Sequence, residues 1–324
     1  MTSRQLRKAM SPAGWTGTVY YLLISVCVTA AVMVEVIFTV LMQMASGHID
    51  QIYASIYSMA EKASSGAWGY FLAAGIGLVI LLAWKKPKFW REQIWARGKP
   101  MNFGSFLGLL CIFLSAQFIY QFVVIGLEML LNSMGLTLMA GLESLFPGAD
   151  NLSMFLYMCV LAPVTEELLC RGLIQRILMP YGKRLAILGS AFLFGLFHGN
   201  ILQAPYAFTV GLVLGYVAAE YSIAWAMVLH MINNLVLGDM FIRLTAGMNE
   251  VAAGLLLWGI LVLCAIGALI TLIRRRRAIR TWLRTNALGP TYTRCFFSSA
   301  GVITFTVLMI LNMVITCFML ITPL

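Results

Sequence analysis

The sequence predicts an all-α protein, a polytopic transmembrane helical bundle of about eight to nine spans. Three observations carry that expectation. Of 324 residues, 61% are hydrophobic and 10% charged, with a mean hydropathy of +0.90, whereas a soluble domain carries about 25% charged residues. Apolar runs of about 20 residues recur along the chain, each long enough to cross a hydrocarbon core about 30 Å thick. Basic residues cluster between those runs in alternate loops. Together these exclude a soluble fold.

The apolar segments fall near residues 18 to 44, 67 to 84, 103 to 134, 151 to 179, 185 to 198, 204 to 220, 222 to 238, 251 to 273 and 298 to 321. The first is too long for the apolar region of a cleaved signal peptide and lacks a clear small-residue cleavage site, so it reads as a spanning helix. Several middle segments are short and tightly linked, which leaves room for half-inserted or broken helices. Gly104-x-x-x-Gly108, Gly195-x-x-x-Gly199 and Gly211-x-x-x-Gly215 permit close helix approach. No long-period repeat and no Pro/Ser linker divides the chain.

The net charge of +10 sits in short clusters at Lys85 to Lys99, Arg171 to Arg184 and Arg274 to Arg294. With Arg4, Arg7 and Lys8 on the cytoplasmic side, only Lys62 and Arg243 of the 22 Lys and Arg fall outside, which predicts a multi-pass protein of the cell membrane with a cytoplasmic N-terminus. The charge is assigned to topology, with membrane lipids as partners and no nucleic acid. Arg274 to Arg277, with Arg280 and Arg284, reads as a solvated cluster facing the inner leaflet. Seven cysteines without a Cys-x-x-Cys pair read as free thiols packed like small hydrophobes.

Ionisable groups within spans cost about 2.5 to 3.5 kcal/mol at the centre, so each needs a reason. Glu35 and Glu128 stand alone and read as protonated or hydrogen-bonded to a neighbouring helix. Glu220 and Asp239 lie near segment ends, and His48 reads as solvated. Glu166, Glu167, Arg171, His198 and His230 form a constellation. Glu167 and Arg171 are four apart and can pair on one helical face, leaving Glu166, about 100° away, free to face a cavity. His198 lies one turn beyond Phe194, and His230 and Asn234 share a face. A lone histidine on an apolar face is usually a satisfied core residue. Counted at about 1.5 Å per residue, however, Glu166, His198 and His230 lie roughly 18, 20 and 12 Å deep, one layer within boundary error. Three costly groups at similar depth predict one shared, water-accessible site.

Glu166-Glu167-x-x-x-Arg171, Phe194-x-x-x-His198 and His230-x-x-x-Asn234, in this order and in neighbouring spans, resemble the three motifs of the CAAX protease and bacteriocin-processing (CPBP, or Abi) family of intramembrane endopeptidases. The resemblance covers roughly residues 150 to 240. It implies a catalytic core at 150–240 between N-terminal transmembrane helices of unassigned role (1–149) and C-terminal transmembrane helices with a basic cytoplasmic loop (241–324). The implied activity is hydrolysis of a peptide bond within or beside the membrane, in a membrane-associated or prenylated-like protein or peptide. Eukaryotic members remove the last three residues after a prenylated cysteine. Bacterial members are linked to bacteriocin maturation, self-immunity and peptide-signal processing, and a bacterial plasma-membrane member is the reading taken here. The implied site is Glu166, Glu167, His198, His230 and Asn234, supported by Arg171 and Phe194.

Two mechanisms use these residues. In the first, Glu166 is general base on a water, a role served by a carboxylate pKa raised by burial, His198 holds the water or scissile carbonyl, and His230 with Asn234 stabilises the oxyanion. In the second, Glu166, His198 and His230 ligate a divalent metal such as zinc, with Glu167 as base. The compact His-Glu-x-x-His arrangement is absent, and the ligands would have to converge from three helices. The rival readings are a proton-coupled transporter, since midplane Glu and His also mark carriers, and a catalytically silent self-immunity protein.

Overall fold

The structure, a computed structural model, describes residues 1–46, 67–84, 86–96, 98–138, 152–236 and 241–323. His48, Lys62 and Asp239 lie outside the described residues, as does the side chain of Arg243. Each of the nine apolar segments coincides with helix: α1 Ser3–Ser46, α2 Trp68–Trp84, α3 Phe103–Asn132, α4 Leu152–Tyr181, α5 Lys183–Phe197, α6 Gln203–Glu220, α7 Ile223–Asn233, α8 Glu250–Thr285 and α9 Ala300–Leu320. The protein is thus an all-α membrane bundle. Among the described residues five helices, α1, α3, α4, α8 and α9, are long and apolar enough to cross a membrane, and Trp68–Ala83 and Ile223–Val236 are shorter apolar helices.

Helix starts follow local chemistry. Asn102 and Asn249 accept from the backbone N–H three residues on, at 2.8 Å each, and Ser222 does so at 3.3 Å; each satisfies an amide that the first turn leaves without an intrahelical partner. Two segments of α4, Tyr157–Leu161 and Leu168–Ile174, wind as wider π turns that flank Glu166 and Glu167. Such segments occur often at functional sites because they free backbone groups and re-aim side chains.

The interior is an apolar core that encloses a few polar side chains, and the outside is apolar too. Fully buried Arg171 and Glu167 lie at the centre, while Val19, Ile80, Leu255, Leu263 and Phe318 stay exposed as a lipid-facing surface would. Small residues set the closest approaches. Gly195 meets the Ala204 carbonyl and Phe208, Gly211 meets Ala191, and Gly215 meets Ile187, locking α5 onto α6. Gly108 rests on Thr271, bringing α3 to α8, and Gly14 and Gly301 bring α1 and α9 into backbone contact. The seven cysteines are free, and Cys27, Cys159, Cys170 and Cys295 are buried.

Two of the intramembrane-range acids prove to be structural. Glu128 accepts from the Thr137 hydroxyl at 2.6 Å and the Leu138 amide at 2.9 Å. Its partners thus lie just beyond its own helix rather than on a neighbouring one. They hold the short strand β1 (Leu136–Thr137), paired antiparallel with β2 (Thr322–Pro323). Glu220, 5% exposed, accepts from Lys99 at 2.9 Å, Lys183 at 2.8 Å and Trp282 Nε1 at 3.0 Å. One carboxylate therefore ties the end of α6 to the 98–99 loop, the start of α5 and the extension of α8. Its proximity holds the Lys99 ammonium above its ordinary range. At about 1.5 Å per residue α8 runs well past a hydrocarbon core, so Arg274 to Arg277, Arg280 and Arg284 stand exposed beyond it.

Candidate active site

The site is built on α4, α5, α6 and α7. Glu167 and Arg171 pair as their spacing predicts, Nη1 donating to Oε1 at 2.8 Å with both side chains fully buried. Arg171 Nη2 donates to the Gly211 carbonyl at 3.1 Å, and one turn on Gln175 donates to the Gly215 carbonyl at 2.9 Å. These two rungs fix α4 against α6 and thereby the rotation of Glu166 and Glu167. The guanidinium also lies 4.5 Å from the centroid of the Phe194 ring, a cation–π contact.

Phe194 is the hub of the rings. It meets His198 edge-on at 4.9 Å and His230 edge-on at 5.8 Å. The sequence places Phe194 only in a supporting motif; the structure makes it the wall against which both imidazoles stand.

Both histidines have a defined tautomer in their neutral form. His198 Nδ1 is 2.9 Å from the Phe194 carbonyl, which can only accept, so Nδ1 carries the proton and Nε2 is left as acceptor. His230 Nδ1 lies 3.0 Å from Glu167 Oε1, the oxygen that also accepts from Arg171, so it too is the donor side. His230 Nε2 then faces Glu166 Oε2 at 3.8 Å, a separation longer than a direct hydrogen bond. His230 thus stands between two consecutive carboxylates. Glu166, 19% exposed, is the more open of the two. Glu167 Oε2 and Arg171 Nε are buried without a partner among the described residues, a state that costs about 1–3 kcal/mol for each such group.

Asn234 is committed at both ends of its amide. Its Nδ2 donates to the Met158 carbonyl in the first π segment of α4 at 2.9 Å, and its Oδ1 accepts from Asn233 at 3.1 Å. Asn233 in turn accepts from the Tyr206 hydroxyl at 2.7 Å. The order Tyr206, Asn233, Asn234 sets the amide so that its NH2 group points to α4. One Nδ2 hydrogen is used by Met158, and the NH2 group carries a second.

A cavity of about 420 Å³ opens between α1, α2 and α4, lined almost wholly by apolar groups including Val19, Leu23, Leu78, Leu81 and Leu168. Tyr20 and Thr165, the residue before Glu166, also line it. Tyr20, Tyr206 and Asn233 are not among the residues that sequence reasoning selects. That reasoning weighs ionisable groups within spans and passes over amides and hydroxyls, though these need partners in lipid as well.

No group of three or more His, Cys, Asp or Glu side chains is arranged to hold a metal ion among the described residues. Of the three predicted ligands, Glu166 and His230 approach one another; His230 Nδ1 on Glu167 and His198 Nδ1 on a carbonyl are anchors that metal-bound imidazoles also use, and they leave each Nε2 open. The three do not stand together as a preformed metal cradle among the described residues.

Residues 148–236 match the family model described as type II CAAX prenyl endopeptidase Rce1-like. The matched span holds all seven residues of the three motifs and is consistent with the CPBP family. Comparison with curated proteins and with solved structures yields no match.

Proposed function

We propose that this chain is an intramembrane endopeptidase of the CAAX protease and bacteriocin-processing type. It hydrolyses a peptide bond in a membrane-associated, prenylated-like protein or peptide by glutamate-activated water. The observation that carries the reading is His230 standing between Glu167 and Glu166, within a segment matching a CAAX endopeptidase family.

In this mechanism Glu166 is the general base. It removes a proton from a water, and the resulting hydroxide attacks the scissile carbonyl carbon, whose π electrons move to oxygen. Asn234 Nδ2 donates to that oxyanion through its second hydrogen. His198 Nε2, an acceptor, holds the second hydrogen of the attacking water. The proton taken by Glu166 passes to His230 Nε2. The imidazolium so formed is stabilised by Glu167, and Glu166 returns to carboxylate. As the tetrahedral intermediate collapses, the C–N bond breaks and the proton goes from His230 to the leaving amine, so charge and protons balance over the cycle. Glu167 and Arg171 are positioning groups in this scheme. The buried pair orients His230 and supplies a fixed negative charge beside its Nδ1.

The apolar cavity beside Thr165 supports a substrate with an apolar chain or segment entering from the lipid side, since apolar surface is best buried there. The alternating basic clusters support a cell-membrane location with the N-terminus cytoplasmic. The test is cleavage of an internally quenched farnesylated peptide ending in a CAAX sequence by purified protein in lipid nanodiscs. Release of the last three residues by the wild type and its loss in Glu166→Ala supports the reading; equal release by both variants contradicts it.

A further inference from the structure

His198 follows the last residue of α5, and the chain leaves it through Gly199 at φ +65°, the left-handed conformation that closes many helices. Phe194 on α5 rests on Arg171 of α4 one turn before the corner, and the corner itself lies past the end of the helix. The bond from His198 Nδ1 to Phe194 fixes only the rotation of the ring within its own helix.

The corner is held by α1 and α9, the first and last of the nine helices. Asn312 on α9 donates through Nδ2 to the Gly199 carbonyl at 2.9 Å, taking up an acceptor that the helix end leaves open. Its Oδ1 accepts from the Tyr21 hydroxyl on α1 at 3.0 Å, so the amide is fixed at both ends. A Cβ at position 199 would collide with Asn312 Nδ2. Glycine is thus required there twice, by its backbone angle and by the seat of the donor. The residue on the other side is gripped as well. Tyr20 stacks on Phe197 at 5.8 Å, and Tyr21 meets the same ring edge-on at 6.5 Å. Helices α1 and α9 are joined to each other at Gly14 and Gly301, where the Gly301 amide donates to Ser11 Oγ at 2.8 Å.

We infer that Tyr21 and Asn312 are positioning residues for His198. Through the Gly199 carbonyl they set the depth and direction of the imidazole, so that the first and last helices, outside the family-matched segment, complete the site. The inference rests on the peptidase reading above. A half-buried amide and phenol that satisfy each other and one backbone carbonyl are costly to leave unpaired in lipid, and the strain of losing either falls on the 197–199 corner.

The test uses full-length protein in nanodiscs, with Tyr21→Phe, Asn312→Leu and Glu166→Ala as variants. Hydrogen exchange over residues 196–202 reads the corner whatever the substrate, and kcat and KM on the farnesylated CAAX peptide read the chemistry. Misplacement of a reacting group by about 1 Å can cost about 10²-fold in rate. Asn312→Leu is therefore expected to lower kcat by about that factor with KM unchanged and exchange raised only at the corner. Tyr21→Phe, which removes a single oxygen, is expected to change in the same direction by less, and it keeps the test open if Asn312→Leu fails to fold. Faster exchange with unchanged kcat, exchange unchanged at the corner, or a kcat loss matched by exchange rising throughout the chain would each overturn the inference. A wild type without Glu166-dependent cleavage fails the peptidase reading itself, which the Glu166→Ala control shows separately, and removes the chemistry that the clamp would position.

Discussion

His230 Nε2 lies 3.8 Å from Glu166 Oε2, two side chains 64 positions apart brought together by helices α7 and α4. The second nitrogen of the same ring is held by Glu167 at 3.0 Å. Adjacent carboxylates on one helix thus do different work. One is sealed with Arg171 and anchors the histidine, while the other stands partly open on the ring's reactive side. Replacing Glu166 by Gln is therefore expected to abolish peptide cleavage while leaving thermal stability near that of the wild type. Replacing Glu167 by Gln is expected to lower both. Differential scanning fluorimetry beside the cleavage assay separates the two outcomes.

Arg171 carries the sharpest stability prediction. Its guanidinium is buried with Glu167, Gly211 and Phe194, and removing one partner of a buried pair typically costs about 3–5 kcal/mol because the other charge is left uncompensated. Arg171→Met should thus lower thermal stability and membrane abundance strongly. The double variant Glu167→Leu with Arg171→Met is expected to regain stability without regaining activity. Recovery of both would remove the pair from the mechanism.

The Tyr206, Asn233 and Asn234 series predicts graded kinetics. Asn234→Ala removes the oxyanion donor and should slow turnover by about 10²–10³. Tyr206→Phe, which only releases Asn233, should slow it less, with KM unchanged in both. Equal kcat in Tyr206→Phe and wild type would show that the amide needs no such orientation.

Metal content gives an independent check. The glutamate mechanism predicts purified active protein without stoichiometric zinc and with activity unaffected by strong chelators. Activity lost on chelation and restored with bound zinc would replace the glutamate mechanism by the metal one while keeping the same residues in the site.

Away from the site, Glu220 joins Lys99, Lys183 and Trp282. Glu220→Gln is expected to lower the melting temperature and to weaken its dependence on salt, because the carboxylate is buried while both ammonium groups remain partly exposed. The Gly98 and Lys99 amides also donate to the Tyr221 and Glu220 carbonyls at 2.6 and 2.8 Å, and an unchanged melting curve at low salt would show that these backbone bonds carry the junction alone.

Much of this was legible in the sequence because lipid makes polarity conspicuous. Nine apolar runs became helices, and the spacing of Glu167 and Arg171 announced their pair. The rest depended on angles that spacing does not encode. The assignment of His230 to both carboxylates follows from how α7 packs on α4. The engagement of Asn234 by Met158 follows from a π segment that no residue pattern announces. The number of spans is similarly a matter of packing, since α5 and α6 are short helices enclosed by neighbours and read in sequence much like spans. Tyr20, Tyr21 and Asn312 escaped notice because uncharged polar groups barely lower the hydropathy of a long apolar run.

The central claim, hydrolysis at Glu166, is tested most directly by comparing membrane-associated peptides from cells that express the intact protein with those from cells expressing Glu166→Ala at equal abundance. The account predicts a discrete set of peptides shortened in the first and full-length in the second, with the same set accumulating in an Asn234→Ala strain. Identical peptide populations in cells with and without Glu166, at equal abundance of a folded protein whose substrates are present, would contradict it.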